Sequence, residues 1–338
     1  MKAKQWLKTV LIIIFGMLII GFVVVPLPYY VESPGATIDL KELITVNDKE
    51  DKGSGSFSLT SVGIRQATGF LALKAKMTPF EELISEEELT GGATNEEYNQ
   101  MQQYYMETSQ NNAIYYAAKK ANVPHRQEFL GVYVMEIMSN STFKNKLKVG
   151  DVLVSVNGKK FNSSQELIKY VSSLKKSKVR IEVIRGKKHL TFSGETVKLS
   201  GTNRYGIGIQ LVDHTRVVTK PAVKIDAEDI GGPSAGLMFT LECYQLFTGK
   251  NLSSKKIAGT GTIDDQGKVG MIGGVDKKVI AASRQGMKVF FAPTDQPAGV
   301  KKSETNYAEA VKTAKKIHTK MKIVPVARFE DALNYLEK

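Results

Sequence analysis

Asp229-Ile230-Gly231-Gly232-Pro233-Ser234-Ala235-Gly236 is the stretch on which the reading of this chain turns. Two adjacent glycines let the backbone turn tightly and expose its amides. Pro233 suits the first turn of a helix, where a missing amide costs nothing. The apolar run that follows predicts a helix from Ser234 to Thr248, closed by Gly249. Ser234 then stands at a helix N-terminus, where free amides and the positive end of the dipole favour a developing oxyanion. Capping the helix is the commoner job of a serine in that place, and this segment alone leaves both roles open.

Gly232 to Gly236 also spells G-x-S-x-G, the pattern of a nucleophile elbow. An elbow needs a strand running directly into its glycine. Here the apolar run Ala222-Val223-Lys224-Ile225 is followed by Asp226, Ala227, Glu228 and Asp229, so the strand ends too early. The triad order Ser…Asp…His is available through His318, which follows Lys315 and Lys316 and reads as a surface residue. An α/β-hydrolase-type esterase built on these residues is one alternative function.

A second segment supplies a better partner. Gly259-Thr260-Gly261-Thr262-Ile263 leads to Gly267-Lys268-Val269-Gly270-Met271-Ile272-Gly273-Gly274-Val275-Asp276-Lys277-Lys278. A helix starting at Val275 puts Lys278 on one face with Val275, Val279 and Ala282. Desolvation there pushes a lysine down from about 10.4 toward neutrality. A neutral lysine can take the proton of a serine hydroxyl, as histidine does elsewhere. The bland reading is a lysine whose stem is buried while its ammonium snorkels to water. Gly261 to Lys268 imitates a phosphate loop and fails, because five residues separate its glycines and Val269 replaces the required Ser or Thr. The histidines at 125, 189, 214 and 318 show no H-E-x-x-H spacing. No cofactor and no metal site are expected.

The 338 residues, 42% of them hydrophobic, suffice for two folded domains plus an anchor. A net charge of +13 favours polyanions such as anionic lipid. The lysines are scattered without interleaved aromatics, so nucleic acid is not an expected partner. The single cysteine, Cys243, sits among Leu241, Tyr244 and Leu246 and reads as a small core residue. Residues 7–27 are almost wholly apolar and follow Lys2 and Lys4. By the positive-inside rule, residues 1–6 form a cytoplasmic tail, 7–27 a transmembrane anchor, and the rest lies outside the cell membrane. The sequence after the apolar core, Val-Val-Val-Pro-Leu-Pro-Tyr-Tyr, offers no small-residue cleavage site, so the anchor is read as uncleaved.

Residues 28–125 read as a stalk and first strands, with Phe57 to Val62 a strand, 78–100 an exposed acidic helix and loop, and Met101 to Ala121 a long helix. Residues 126–200 form a compact unit of strands around one helix, Ser163 to Leu174. Residues 201–338 alternate helices and strands: Val275 to Arg284, Lys288 to Ala292, Tyr307 to Thr319, Ile323 to Val326 and Phe329 to Leu336. The fold class is α/β (α+β).

Residues 126–200 resemble a PDZ domain of the bacterial protease-associated kind, chiefly through Lys148-Val149-Gly150-Asp151-Val152-Leu153 and Val156-Asn157-Gly158. Such domains accept an extended peptide as an added strand, and the resemblance points to Leu130, Gly131 and Val132 as the peptide-binding residues. The two glycine-flanked segments together resemble the proteolytic domain of the Lon family. Its serine lies in a Gly-Pro-Ser-Ala-Gly segment, matched by 232–236, and its lysine four residues beyond an Ile-Gly-Gly segment, matched by 272–274 and Lys278. The resemblance implies Ser234 as nucleophile, Lys278 as general base, Thr260 orienting the lysine, and amides near Gly232 and Ser234 for the oxyanion. Lon proteins carry an aspartate directly before Gly-Pro-Ser; here Gly231 holds that place and the acid is Asp229.

The layout of anchor, PDZ unit and Lon-like domain resembles membrane-anchored peptidases of the YlbL/SepM type. It implies an ATP-independent serine endopeptidase that cleaves exported peptides or proteins. It also implies a Lon-like domain split around the PDZ unit, with Phe57 to Ala121 as its first part and the strand Tyr205 to Leu211 as its resumption, and a homo-oligomer. A non-catalytic PDZ scaffold is the second alternative.

Overall fold

The computed structural model of the protein describes residues 2–227 and 230–338. Glu228 and Asp229 lie outside the described residues, and with them the reading of Asp229 as a supporting acid. Helix α1 (Lys2–Val24) contains a stretch, Gln5–Val24, with a mean hydropathy of 2.7 and no residue buried against the rest of the chain. Its 20 residues rise about 30 Å, the thickness of a bilayer's hydrocarbon.

Pro26 and Pro28 lack amides and end the helix. The segment expected to be a stalk is largely sheet. Strand β1 (Pro26–Asp39) pairs antiparallel with β3 (Ser56–Thr68), from Pro26 opposite Thr68 to Asp39 opposite Ser58, with β2 (Ile44–Val46) on the connection. After helix α2 (Gly69–Met77), β4 (Glu82–Ser85) joins the other edge of β1. This strand lies in the acidic stretch read as helix and loop. A short helix α3 (Glu86–Thr90) leads to α4 (Asn95–Lys120), which starts at a Thr94–Glu97 capping box rather than at Met101.

The middle of the chain gives β5 (His125–Ile137), β6 (Val152–Val156), α5 (Ser164–Ser173), β7 (Lys178–Arg185), β8 (Lys188–Glu195), β9 (Val197–Lys198), β10 (Tyr205–Gly206) and β11 (Ile209–Thr219). Five of these make an antiparallel sheet in the order β11-β5-β6-β7-β8. Its core gathers Val134, Phe143, Leu153, Leu167 and Ile181. Asp151 is buried and held by Arg185 through two hydrogen bonds of 2.6 and 2.8 Å. The segment 205–211, expected to return to the proteolytic unit, stays with the middle of the chain: Tyr205–Gly206 pairs with β9, and β11 pairs with β5 from Ile209 opposite Ile137 to Thr219 opposite His125.

The last third contains β12 (Val223–Ile225), α6 (Gly236–Thr248), β13 (Lys256–Gly259), β14 (Thr262–Ile263), β15 (Val269–Gly270), α7 (Val275–Arg284), β16 (Val289–Pro293), α8 (Asn306–Lys316), β17 (Lys322–Val326) and α9 (Phe329–Leu336). A six-stranded sheet runs β17-β16-β13-β3-β1-β4, with β13 parallel to both β3 and β16. It therefore takes strands from residues 26–85 and from residues 256–326, with the five-stranded sheet between them in the chain. Side chains alternate across it, as a pleated strand requires. Ile257 and Phe291 join Phe57, Leu237 and Phe239 on the α6 side, while Ala258 and Phe290 join Val275, Val279 and Ala310 on the α7 side. Cys243 is buried on α6. Its neighbour Glu242 is buried too, and burial pushes its carboxyl up to about 8, so it is neutral at pH 7.

Candidate active site

Strand β13 is buried on both faces and ends at Gly259, which delivers Thr260 to the end of the sheet. Thr260 is fully buried, its N–H donating to Phe291 O at 3.1 Å. Ser234 does not open helix α6 as expected. It lies in a turn, and the helix starts two residues later at Gly236 with no side-chain cap. The Ser234 hydroxyl is therefore not engaged as a cap. It meets Lys278 instead: Nζ lies 2.6 Å from Ser234 Oγ and 3.2 Å from Thr260 Oγ1.

The turn is pinned on several sides. Ser234 O accepts from the Gly261 N–H at 2.8 Å and from the Thr260 hydroxyl at 3.1 Å. Pro233 O accepts from the Ser109 hydroxyl at 2.9 Å. The Gly232 N–H donates to Gln102 O at 3.0 Å, which removes it from the amides available to an oxyanion. Gly232 sits at φ 86, a conformation that favours glycine. Among the described residues, no acceptor bonds the Ser234 and Ala235 amides. Gln102 and Ser109 lie on α4, far from this turn in the chain, and no local pattern announces them.

Lys278 is 3% exposed and shares its helix face with the buried Val275, Val279 and Ala282, as their spacing predicts. Burial pushes its pKa down to about 8, against the opposing pull of Glu32. Lys277 points elsewhere and keeps its charge. Burial lowers its pKa, but Glu82 at 2.6 Å, Glu32 at 3.2 Å and Asp276 at 3.4 Å more than reverse the effect. Two adjacent buried lysines thus differ in basicity because only one has carboxylates beside it. Gly274, at φ 64, lets β3 approach: a Cβ there would come within 2.7 Å of Val62. Asn306 fixes the preceding turn, accepting the Ile272 N–H at 2.8 Å and donating to Ile272 O at 2.9 Å.

The esterase alternative lacks its parts. β12 ends at Ile225, so no strand enters Gly232. His318 is exposed beyond the end of α8. Among the described residues no histidine bonds Ser234; His214 pairs with Glu107 at 2.9 Å and His125 with Val123 O.

Leu130, Gly131 and Val132 lie inside β5, not in a loop with a free edge. β11 runs along one side of that strand, and β6 pairs with Val132 and Tyr133 on the other. The edge strand is β11, and it runs beside α5: the Ser172 hydroxyl reaches Tyr205 O at 3.2 Å, and Asp213 Oδ1 accepts the Ser164 N–H at 2.7 Å. Between helix and strand lies a cavity of about 140 Å³ lined by Leu167, Ile168, Val171, Ile207 and Ile209, with Arg204 at its margin. Gly208 is at φ 78, and the Ile207 and Gly208 amides bond no acceptor among the described residues. The sequence carries this groove as Tyr205-Gly206-Ile207-Gly208, a glycine-punctuated turn before an apolar strand.

Two family models match the chain: a PDZ domain over residues 101–196, and the Lon protease (S16) C-terminal proteolytic domain over residues 172–336. Curated relatives include the Lon protease of Campylobacter jejuni, 27% identical over 236 residues that cover 63% of this chain and 26% of that protein. The Lon protease of Desulfosudis oleivorans is 39% identical over 103 residues, 30% of this chain and 12% of that protein. The chain thus spans about a quarter or less of the length of these relatives. Among solved structures, the PDZ domain of an SdrC-like protein from Listeria monocytogenes is 34% identical, covering 24% of this chain and 87% of that one with a TM-score of 0.23.

Proposed function

We propose that this chain, whose residues match models of a PDZ domain and of the Lon protease (S16) C-terminal proteolytic domain, is an ATP-independent endopeptidase, held by α1 in the cell membrane, that cleaves exported peptides or proteins outside the cytoplasm. The observation that carries the reading is the 2.6 Å approach of Lys278 Nζ to Ser234 Oγ, with the lysine buried among apolar side chains.

Near its lowered pKa a useful fraction of Lys278 is neutral at physiological pH. As Ser234 Oγ attacks the scissile carbonyl carbon, Lys278 Nζ takes the hydroxyl proton. The carbonyl π-electrons move to oxygen, and the amides of Ser234 and Ala235, which bond no acceptor among the described residues, are the donors assigned to the charge that develops. Gly232, whose amide is already bonded to Gln102 O, serves instead to set the turn. Collapse of the intermediate breaks the C–N bond, and Lys278 returns its proton to the departing amine. Water then attacks the acyl-serine, with Lys278 again accepting the proton, and collapse breaks the acyl C–Oγ bond as Lys278 returns that proton to Ser234 Oγ, releasing the carboxyl product. Thr260 Oγ1, itself tied to Ser234 O, holds the lysine on line.

The PDZ domain supplies selection. A substrate end adds as a strand along the first residues of β11, before Asp213, Thr215 and Val217, whose backbone groups already bond Tyr104 and Asn111 of α4; its terminal carboxylate lies toward the Ile207 and Gly208 amides and Arg204, its last apolar side chain among Leu167, Val171 and Ile209. Lys2 and Lys4 before the apolar helix support a cytoplasmic N-terminus. The failed phosphate loop supports action without nucleotide. Assembly with further copies belongs to the same proposal.

The test is a comparison of peptides in the medium of cells bearing the wild-type chain or Ser234→Ala. A defined set of cleavage products is expected to vanish in the variant. Identical peptide profiles would remove the proposal.

A further inference from the structure

Helix α2 is apolar on both sides. Leu71, Ala72 and Ala75 pack inward with Val31, Ala67 and Leu83. Phe70, Leu73 and Met77 point outward and are 51%, 53% and 78% exposed. Among the described residues, only the inward side of α2 is covered, and its outward apolar side chains are left without cover. Among the described residues outside 6–25, seven large apolar side chains are exposed, and five of them (Tyr29, Ile64, Phe70, Leu73 and Met77) belong to β1, β3 and α2, the elements nearest α1.

Position says what covers them. β1 leaves α1 directly, and Pro26 pairs with Thr68, the cap of α2. The Phe22 ring lies so close to Gly69 that a Cβ there would come within 2.3 Å of it. The exposed face of α2 is therefore continuous with the end of the apolar helix. Lys74 and Lys76 are exposed on the same helix, Lys74 paired with Glu81 at 3.1 Å. Apolar side chains with lysines at their margin suit the headgroup boundary of an anionic bilayer.

We propose that α2 is an interfacial helix: Phe70, Leu73 and Met77 enter the outer leaflet beside α1 and seat the peptidase domain against the lipid surface. This rests on the reading of α1 as a membrane span. It fixes the height of the site as well. Eight residue steps along β3 separate Thr68 from Thr60, whose hydroxyl bonds Gly259 O beside Thr260, so the active site stands on the order of 26 Å along the strand from the seated helix. An exported chain still emerging from the membrane would present its near-surface segments at that distance.

The experiment uses the full chain in lipid nanodiscs containing anionic lipid. Trp6 is the one tryptophan, so Trp6→Phe gives a silent background. Leu73→Trp in that background is expected to emit at shorter wavelength and to lose about half its intensity when shallow-brominated lipid replaces the plain one. Ile168→Trp, on α5 of the PDZ domain, should show neither change. Emission from Leu73→Trp that resembles Ile168→Trp overturns the proposal. So does a blue-shifted emission that brominated lipid leaves unquenched, which would mean a second copy or another protein covers the face. Ile14→Trp, within α1, separates the two failures: quenching there by deep-brominated lipid with none at Leu73→Trp sinks the interfacial helix alone, and none at either position sinks the span and the seat together.

Discussion

Replacing Lys278 by methionine should make the protein more stable while abolishing cleavage. Lys278 is 3% exposed and its pKa falls from the ordinary 10.5 to about 8, so at pH 7 the folded chain carries a charge that its surroundings disfavour. At roughly 1.4 kcal/mol per pH unit, that difference costs the folded state about 3 kcal/mol at pH 7. Methionine has a similar length, no charge and enough flexibility to fill the same space. It forfeits the contacts with Ser234 and Thr260, worth about 1 kcal/mol, which leaves a net gain of about 2 kcal/mol. The sign of the pH dependence follows from proton binding. Between pH 8 and 10.5 the unfolded chain holds more protons than the folded one, so wild-type stability rises with pH in that window. The cost is full below pH 8 and gone above 10.5, and at pH 10 only about 1 kcal/mol of it remains. Chemical denaturation of the full chain in detergent, wild type against Lys278→Met at pH 7 and pH 10, reads both terms. Every other titrating group is common to the two proteins and cancels. A methionine variant no more stable than wild type at pH 7, with a difference that stays fixed to pH 10, would refute the buried, destabilised lysine.

Three further outcomes follow from the same geometry. The rate kcat/KM for a short peptide should rise with pH through about 8 as Lys278 loses its proton, and Lys278→Arg, which cannot lose one, should show no activity at any pH in a continuous fluorescence assay. Thr260→Val removes the oxygen 3.2 Å from Lys278 Nζ and should lower kcat about tenfold or more with KM little changed, while Thr260→Ser keeps most of the rate. Ile207→Asp puts a charge in the apolar groove beside α5 and should raise KM for substrates with a free apolar C-terminus, leaving cleavage of a C-terminally amidated peptide unchanged by steady-state kinetics.

The serine and the lysine were legible because each sits in a short segment whose local rules are strict. The spacing of Val275, Lys278, Val279 and Ala282 fixes one helix face, and a lysine on that face is buried wherever the helix packs. Paired glycines beside Ser234 announce a turn, but not that the helix would begin two residues late, at Gly236. What stayed hidden depends on contacts distant in sequence. Gln102 and Ser109 read as ordinary polar positions on a long helix. Nothing in the Glu82–Ser85 run shows that it would complete a sheet edge beside β1. The groove between α5 and β11 stayed hidden for a related reason. Alternation identifies a strand and its faces but not which neighbours take its edges, so β5 looked open although β11, much later in the chain, closes it.

The account stands most directly on cleavage of an unstructured peptide by the full chain without nucleotide, for wild type, Ser234→Ala and Lys278→Ala side by side. Measured by product mass at about pH 8, near the lowered pKa of Lys278, wild type should cleave and both variants should fall to background. Full activity in either variant would contradict the pairing of Ser234 with Lys278.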